Sequence, residues 1–160
     1  LQPGLHPRPN HKDMSRRRLM VVGPIGAGKT ALLRALGLTS CSSKTEAISF
    51  CGDAVDTPGE FFEIPRFYHT LITNSARAST VLLVADPKRP VRFPSMFVKA
   101  MRGSVIGVVT KADLASEQEL DRAARALQGA GVREIYRVSS VSGQGIQDLA
   151  RRLGLEGQTP

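Results

Sequence analysis

The chain has 160 residues, of which 41% are hydrophobic, so its length and composition fit one domain with a single core, and we expect no second domain. Its 22 basic and 14 acidic side chains leave a formal net charge of +8, but only Arg16, Arg17 and Arg18 form a run of three and tryptophan is absent. This charge pattern favours a solvated basic surface that attracts phosphates over a nucleic-acid interface. No apolar run reaches roughly 18 residues, which excludes a membrane-spanning helix.

Residues 1–13 are predicted to stand outside the fold. They hold three prolines and two histidines with no hydrophobic period, and Met14 follows them as a reasonable natural start. We therefore expect residues 1–13 to be a cloning remnant or a disordered arm, residues 14–154 to form a single domain, and residues 155–160 to be a C-terminal tail. The two cysteines lie apart in the sequence, as is typical of free thiols in a reducing cytoplasm.

A phosphate-binding loop is predicted at residues 23–30, where the sequence GPIGAGKT has the spacing G-x-x-x-x-G-K-T. The loop follows an apolar run at 19–22 typical of a buried strand and precedes a helical pattern at 31–36. Glycines let successive backbone N–H groups point at phosphate oxygens, and the helix N-terminus adds partial positive charge. We expect Lys29 to contact the β- and γ-phosphates and the Thr30 hydroxyl to bind Mg²⁺. The loop residues predicted to bind nucleotide are Gly23, Gly26, Ala27, Gly28, Lys29, Thr30 and Ala31. The alternative is a glycine-rich turn that binds nothing.

The next segment is predicted to complete a Mg²⁺ site. Residues 38–46 form a Ser- and Thr-rich loop that contains Thr45, and the patterns at 47–51 and 54–55, joined by a Gly-Asp turn signal, predict a β-hairpin that leads into Asp56-Thr57-Pro58-Gly59. We expect Asp56 to hold Mg²⁺ through water, the Thr45 hydroxyl to be a second ligand, and the Gly59 N–H to reach a γ-phosphate. The alternative for Thr45 is an ordinary loop threonine.

Strands and helices alternate through the rest of the chain. The patterns predict, in order, a helix at 65–72, a buried strand at 80–85, a loop at 86–94, a short helix at 95–101, a buried strand at 104–109, a helix after the capping box from Ser116 to Glu119, a strand at 134–138 and a helix at 146–153. The predicted fold class is therefore α/β with three layers: a mostly parallel sheet of about six strands with one antiparallel edge strand, and helices on both faces. The ligand of such a fold lies at the carboxyl ends of the strands.

The base preference is predicted from the sequence Thr110-Lys111-Ala112-Asp113, which follows a buried strand. The two oxygens of the Asp113 carboxylate match the N1–H and the 2-amino group of guanine. Adenine has an acceptor at N1 and no amino group at C2, so the carboxylate would be left unpaired at a cost of roughly 1–3 kcal/mol or more. We therefore expect guanine to be preferred, with Thr110 in the binding segment, Lys111 covering the base, and Ser139-Ser140 presenting a backbone N–H to guanine O6. A serine-rich turn is the alternative for that pair.

These motifs resemble the motif set of P-loop GTPases with a Ras-like G domain, in the order G-x-x-x-x-G-K-T, Thr, D-T-P-G, T-K-x-D and S-S. More narrowly, GAGKT at 26–30, KTEA at 44–47, DTPGE at 56–60, PRFYH at 65–69 and TKAD at 110–113 resemble the EutP/PduV family, small GTPase-like proteins of bacterial ethanolamine and propanediol utilisation. The resemblance implies GTP or GDP and Mg²⁺ as cofactors. It also implies a cytoplasmic protein that works with a bacterial microcompartment, with shell or enzyme-core proteins as partners.

One departure from Ras-like proteins bears on hydrolysis. Ras-like proteins carry a Gln after the D-x-x-G motif that orients the attacking water, whereas this chain has Glu60, whose negative charge would face the γ-phosphate. We therefore expect slow GTP hydrolysis, with Lys29, Thr45, Gly59 and Glu60 as the catalytic set. The alternative for Glu60 is that it stabilises the N-terminus of a following helix.

Three functions are the main candidates from these patterns, and a GTPase that acts on nucleic acid stays open because of the net charge. The first is a weak GTPase that acts as a nucleotide-dependent switch, whose Thr45 and Glu60 segments order around the γ-phosphate. The second is a small metabolic phosphotransferase that passes a γ-phosphoryl group to acetate or a similar carboxylate, although the sequence offers no recognisable acceptor pocket. The third is a scaffold that docks on a shell and binds nucleotide as a structural ligand.

Overall fold

The computed structural model describes residues 19–24, 26–37, 49–51, 54–56, 72–73, 78–90, 93, 97–101 and 103–155. Within these residues the strands are β1 (Leu19–Val22), β2 (Ser49–Cys51), β3 (Ala54–Asp56), β4 (Thr80–Ala85), β5 (Ser104–Val109) and β6 (Ile135–Arg137). The helices are α1 (Lys29–Ala35), α2 (Phe97–Ala100), α3 (Glu117–Gly129) and α4 (Ile146–Arg152). None of these described helices is long and apolar enough to cross a membrane.

The described strands form one six-stranded sheet in the order β2-β3-β1-β4-β5-β6. Neighbouring strands from β3 to β6 are parallel, and β2 runs antiparallel to β3 at the sheet edge. The pairs Val22 with Leu83 and Ala85 with Val109 bring the carboxyl ends of β1, β4 and β5 to the same edge. The prediction of a mostly parallel sheet with one antiparallel edge strand is confirmed.

Helices cover both faces of the sheet, as the sequence predicts. Among the described residues, the buried apolar side chains form two clusters, one on each face. Successive residues of a strand point to opposite faces, so Met20 and Val22 of β1 join the cluster with α2 and α3, whereas Leu19 and Val21 join the cluster with α1 and α4. This two-sided burial explains why β1 and β4 are continuous apolar runs rather than alternating ones.

Element ends differ slightly from the predicted ones. Helix α1 begins at Lys29 instead of residue 31, because Gly28 of the loop is itself the N-cap, with a left-handed φ of 90°. Helix α2 ends at Ala100 instead of residue 101. The predicted turn at 52–53 and the predicted helix at 65–72 lie outside the described residues, apart from Ile72, which is helical.

Helix α3 begins with the capping box that the sequence predicts. The Glu119 N–H donates to the Ser116 hydroxyl at 3.2 Å, and the Ser116 N–H donates to Glu119 Oε1 at 3.1 Å. The same carboxylate oxygen accepts Lys88 Nζ at 3.2 Å. The Ser116 N–H, and after it the Lys88 ammonium, hold the pKa of Glu119 below its ordinary value. Glu119 thus joins the start of α3 to the turn that follows β4.

Candidate nucleotide-binding site

The phosphate loop lies between β1 and α1 at the carboxyl edge of the sheet, and two constraints explain its glycines. Gly26 and Gly28 have φ angles of 76° and 90°, a left-handed conformation that is costly for a residue with a side chain. Gly23 is needed for a different reason, since a Cβ there would lie 2.7 Å from the carbonyl oxygen of Val84 in β4. The loop therefore requires glycine both for its backbone conformation and for its close approach to the sheet.

Lys29 is the first residue of α1, and its side chain turns back to the loop. Only 8% of the residue is exposed, and Nζ donates to Gly23 O at 2.9 Å and to Pro24 O at 3.0 Å. These carbonyl oxygens hold the ammonium at the phosphate loop, where it can pair with the charge of a polyphosphate. Thr30 and Ala31 follow in the first helical turn, which contains no acidic residue, and both are at least partly exposed.

The segment after β5 is bonded directly to the phosphate loop. Thr110 Oγ1 donates to Ala27 O at 2.7 Å, and Lys111 Nζ donates to Gly26 O at 3.0 Å. Lys111 has a positive φ of 55°, a conformation that costs a non-glycine residue roughly 1–2 kcal/mol. The structure thus brings together four predicted nucleotide-binding residues from two distant parts of the sequence.

The second partner of Lys111 is Asp86, which the sequence predicts only as part of a loop. Asp86 directly follows β4, its side chain is 1% exposed, and its Oδ2 accepts Lys111 Nζ at 2.7 Å. Its Oδ1 accepts the Lys88 N–H at 2.9 Å. Both carboxylate oxygens are therefore paired, as the burial of a charge requires. The available signal was an acid placed directly after the most strand-like run of the chain, at the edge where ligands bind.

Arg89 is a further cation that the sequence pattern does not single out. It lies in the turn after β4, and its Nη1 is 3.2 Å from the position that a Cβ on Gly26 would occupy. The guanidinium therefore lies against the phosphate loop, which Lys29 and Lys111 also contact. Three cationic side chains around one loop create a positive potential that attracts a polyphosphate.

Asp113 is held by the loop that follows β6. Ser139 is 1% exposed, and its hydroxyl donates to Asp113 Oδ1 at 2.8 Å and accepts the Ser142 N–H at 3.0 Å. Asp113 itself is exposed, so its carboxylate is oriented by one bond and open to a ligand. The Ser139 N–H donates to Gln144 O at 2.9 Å, which makes Ser140 the member of the predicted pair whose N–H is the candidate for contact with a base.

The predicted Mg²⁺ and catalytic residues lie only partly within the described chain. Asp56 is the last residue of β3 and pairs with Val21 of β1, so its backbone lies at the sheet edge beside the phosphate loop. Thr45, Gly59 and Glu60 lie outside the described residues, and their roles stay predictions. Proteins usually bind Mg²⁺ through one or two carboxylates together with phosphate oxygens and waters. The hydroxyl of residue 30 and the carboxylate of residue 56 are oxygen ligands of the kind that Mg²⁺ takes.

The site therefore has two parts in a fixed relation. The phosphate loop supplies backbone N–H groups and the Lys29 ammonium, and the segment from Thr110 to Asp113 ends in a carboxylate with hydrogen-bonding capacity to spare. Because Thr110 and Lys111 bond the loop backbone, the carboxylate and the loop are positioned relative to each other by the fold. This arrangement fits a ligand with a polyphosphate at one end and a group with paired N–H donors at the other.

Comparison with known proteins identifies the family. A family model described as ethanolamine utilisation - propanediol utilisation, PduV-EutP, matches residues 16–155. The chain belongs to the PduV-EutP family. It is 33% identical over 135 residues to the propanediol utilization protein PduV of Citrobacter freundii, which covers 83% of this PduV-EutP chain and 90% of that relative. It is also 33% identical over 139 residues to a protein of Escherichia coli (strain K12) named probable acetate kinase EutP, which covers 83% of this chain and 86% of the relative.

A solved structure of another protein has the same fold as this PduV-EutP protein. A protein described as the probable GTP-binding protein engB superposes with a TM-score of 0.62 at 17% identity, which covers 86% of this chain and 96% of that one. At this identity the likeness shows the fold, which is the α/β fold of P-loop GTPases. The predicted fold class and the predicted resemblance to the EutP/PduV family are confirmed.

Proposed function

We propose that this PduV-EutP protein binds guanine nucleotides with Mg²⁺, hydrolyses GTP slowly, and acts as a nucleotide-dependent switch in ethanolamine or propanediol utilisation. The proposal is carried by the hydrogen bond from Ser139 to Asp113, because this bond orients the Asp113 carboxylate. The carboxylate belongs to the segment that Thr110 and Lys111 attach to the phosphate loop. The name of the Citrobacter relative supports the metabolic context, and the description of engB as a probable GTP-binding protein supports GTP as the ligand.

Each part of the nucleotide has a proposed partner in the chain. The loop N–H groups and Lys29 bind the β- and γ-phosphates, and Asp113 pairs with the N1–H and the 2-amino group of guanine. Thr30, Thr45 and Asp56 hold Mg²⁺. The ion, when bound, neutralises charge on the β- and γ-phosphate oxygens.

Slow hydrolysis is proposed because of the residue at position 60. A glutamate beside the γ-phosphate repels the charge on the phosphate oxygens and cannot offer the amide N–H of a glutamine to the attacking water. The substitution Glu60→Gln should therefore raise the rate of phosphate release from GTP without changing GDP affinity. An unchanged rate would favour the alternative role for Glu60, at the start of a helix.

The central experiment measures base preference. Purified full-length protein is titrated with GDP and with ADP in the presence of Mg²⁺, and the nucleotide released from freshly purified, denatured protein is identified by chromatography. We expect GDP to bind at least about tenfold more tightly than ADP. The substitution Asp113→Ala should remove this preference, whereas Asp148→Ala, at an exposed acid of α4, should not. Equal affinity of the unmodified protein for both nucleotides would contradict the proposal.

A phosphotransferase is the second candidate, and it is favoured by the name of the Escherichia coli relative, probable acetate kinase EutP. Such an enzyme would bind nucleotide in the same loop and pass the γ-phosphoryl group to a carboxylate. The two functions are separated by adding acetate to a GTP or ATP turnover assay. Turnover that rises with acetate and yields acetyl phosphate would support the phosphotransferase. Turnover that is independent of acetate and yields only inorganic phosphate would support the GTPase.

The switch and scaffold functions differ in how partner binding responds to nucleotide. Microcompartment shell or enzyme-core proteins are the proposed partners, and they can be co-purified with the full chain in GTP-rich and GDP-rich buffers. A switch predicts that capture changes between the two nucleotides and is lost with Lys29→Ala. Capture that is the same in both buffers and survives Lys29→Ala would favour a scaffold.

A further inference from the structure

A cavity of 780 Å³ lies beside the candidate nucleotide site, on the face of the sheet that α3 covers. It is bounded by the end of β4, the turn after β4 and the middle of α3, and its lining includes Ala85, Asp86, Arg89, Phe93, Arg122 and Ala126. Its volume is within the range of roughly 300–1,000 Å³ that is typical of small-molecule sites. The nucleotide functions proposed above do not use this cavity.

The cavity combines an apolar wall with two guanidinium groups. Ala85, Phe93 and Ala123 are buried members of the hydrophobic cluster on this face, and Ala126 packs against the same cluster. Arg89 and Arg122, which also line the cavity, are both exposed residues. A guanidinium binds a carboxylate through two parallel N–H bonds, which makes arginine the usual residue for recognition of small organic anions.

The orientation of Arg122 leaves donors for a ligand. Its Nη2 is 3.5 Å from Pro87 O, which is at the long limit of a hydrogen bond, and a guanidinium has five N–H donors in all. Asp86, the acid among the described residues that line the cavity, already accepts hydrogen bonds at both oxygens, from Lys111 and from the Lys88 N–H. The polar side of the cavity is therefore suited to an anion rather than to a cation.

We propose that this cavity binds a small organic anion with an apolar body, such as an aryl or branched alkyl carboxylate, and that this binding weakens guanine-nucleotide binding. The apolar body packs against Phe93 and the alanines of α3, and the carboxylate binds Arg122 and Arg89. Acetate is too small to fill a cavity of this volume, which separates this ligand class from a phosphoryl acceptor at the nucleotide.

Arg89 is the residue that couples the two ligands. Its side chain lines the cavity and also lies against Gly26 of the phosphate loop. One guanidinium cannot be drawn fully to a carboxylate in the cavity and to a polyphosphate on the loop, so each ligand lowers the affinity for the other by the same factor. This coupling rests on the proposed guanine-nucleotide binding, whereas the anion site itself does not.

The anion site is tested with 4-(trifluoromethyl)phenylacetate and its primary amide as probes, detected by their fluorine NMR signals on titration with the full chain. We expect the acid to bind at least about tenfold more tightly than the amide and than acetate. The substitution Arg122→Gln should weaken binding of the acid about tenfold, and Ala126→Leu, which places a bulkier side chain on the apolar wall, should weaken it at least about tenfold. Arg125→Gln, at an exposed arginine of the same helix, is the matched control and should have no effect.

Equal binding of acid and amide, or an unchanged affinity in Arg122→Gln, would overturn the anion site. Acetate that binds as tightly as the larger acid would overturn the requirement for an apolar body. Far-ultraviolet circular dichroism of each variant shows whether it is folded, and a folded Ala126→Leu protein that binds the acid as tightly as the unmodified protein would also count against the site.

The coupling is tested by titrating a fluorescent GDP analogue with and without a saturating amount of the acid. We expect the acid to lower the affinity for the analogue about fivefold, and the analogue to lower the affinity for the acid by the same factor. The substitution Arg89→Gln should remove the coupling while Arg122 still supports binding of the acid. Unchanged or tighter binding of the analogue would overturn the coupling. Failure of the unmodified protein to bind GDP, with the acid still bound, would refute the proposed function and the coupling but support the anion site.

Discussion

The ammonium of Lys111 bonds both a buried carboxylate and the phosphate loop, so this residue has a structural role besides its proposed contact with the base. The side chain of Asp86 is 1% exposed, whereas that of Lys111 is 33% exposed. The acid has therefore lost nearly all of its water, and the hydrogen bonds that it accepts from Lys111 and from the Lys88 N–H replace that hydration. Removal of the lysine leaves that charge in the protein with one bond fewer.

We predict that Lys111→Ala lowers the free energy of unfolding by about 1–3 kcal/mol in nucleotide-free buffer, because Asp86 loses its charged partner. Adding Asp86→Asn to this variant should restore part of the loss, since the amide is neutral and its oxygen can still accept the Lys88 N–H. Urea denaturation of the single and double variants measures both effects. Lys88→Ala is the control: it removes an exposed ion pair with Glu119 and should cost less than about 1 kcal/mol.

The two serines after β6 should behave differently. Ser139→Ala removes the hydroxyl that orients Asp113, and we expect GDP affinity to fall roughly three- to tenfold, because a hydrogen bond to a charged group is lost. Ser140→Ala keeps its backbone N–H and should leave GDP affinity unchanged. Calorimetric titration of both variants with GDP tests this difference. A similar loss in both would mean that the serine hydroxyls act in some other way.

At the scale of residues, the sequence predicts the functional residues that occur in short motifs with a fixed spacing. Gly23, Lys29 and Asp113 belong to short motifs in which each residue type has a defined task, so their roles can be predicted without a structure. Asp86 and Arg89 could not be assigned in this way. Asp86 bonds a lysine 25 residues further along the chain, and a contact across such a separation depends on how the loop, α2 and β5 between them are arranged in space.

The first turn of α3 is the element whose local chemistry is most completely determined by sequence. The capping box bonds Ser116 and Glu119 to each other, and Lys88 adds a contact from outside the helix. The strands at 80–85 and 104–109 also have their predicted ends, because apolar side chains give way to polar ones where each strand leaves the core. Helix α1 begins two residues before its predicted start, because a glycine of the loop provides its N-cap. A glycine N-cap has no side-chain pattern from which it could be predicted.

The stability supplied by Glu119 should be lost in acid. The folded protein holds the pKa of this carboxyl below its ordinary value of 4.5, so the ionised form is the one that stabilises the helix start. Its contribution is fully present above pH 4.5 and decreases as the pH falls through the lower pKa of the folded state. We predict that the difference in free energy of unfolding between the unmodified protein and Glu119→Gln shrinks over this range, as measured by urea denaturation. A difference that grows as the pH falls would contradict this assignment.

At the scale of the whole molecule, the candidate site draws on segments from opposite ends of the described chain. The phosphate loop follows β1, and the residues that position Asp113 follow β5 and β6, so a nucleotide bound to both would connect them in the folded state only. The alternation of strands and helices predicts a parallel sheet, but it does not determine that β1 lies between β3 and β4. The strand order depends on the direction in which each connection between strands crosses the sheet. This order brings the phosphate loop and the segment that ends in Asp113 to one edge.

We predict that GDP with Mg²⁺ raises the midpoint of thermal unfolding, because a ligand that binds only the folded state stabilises it by mass action. The gain is about 2.7 kcal/mol at a ligand concentration one hundred times the Kd. Differential scanning fluorimetry over a GDP series measures it, with ADP as the control nucleotide. The substitution Lys29→Ala should remove most of the shift, and a shift of equal size with ADP would argue against guanine specificity.

The two carbonyl bonds of Lys29 have a consequence for the energetics of recognition. A free lysine side chain samples many rotamers, and fixing it costs about 1.5–2 kcal/mol in entropy. Here Gly23 and Pro24 impose that order when the polypeptide folds. A polyphosphate bound as proposed would therefore meet a cation that is already immobilised, and its binding would not include the entropic cost of ordering a flexible side chain.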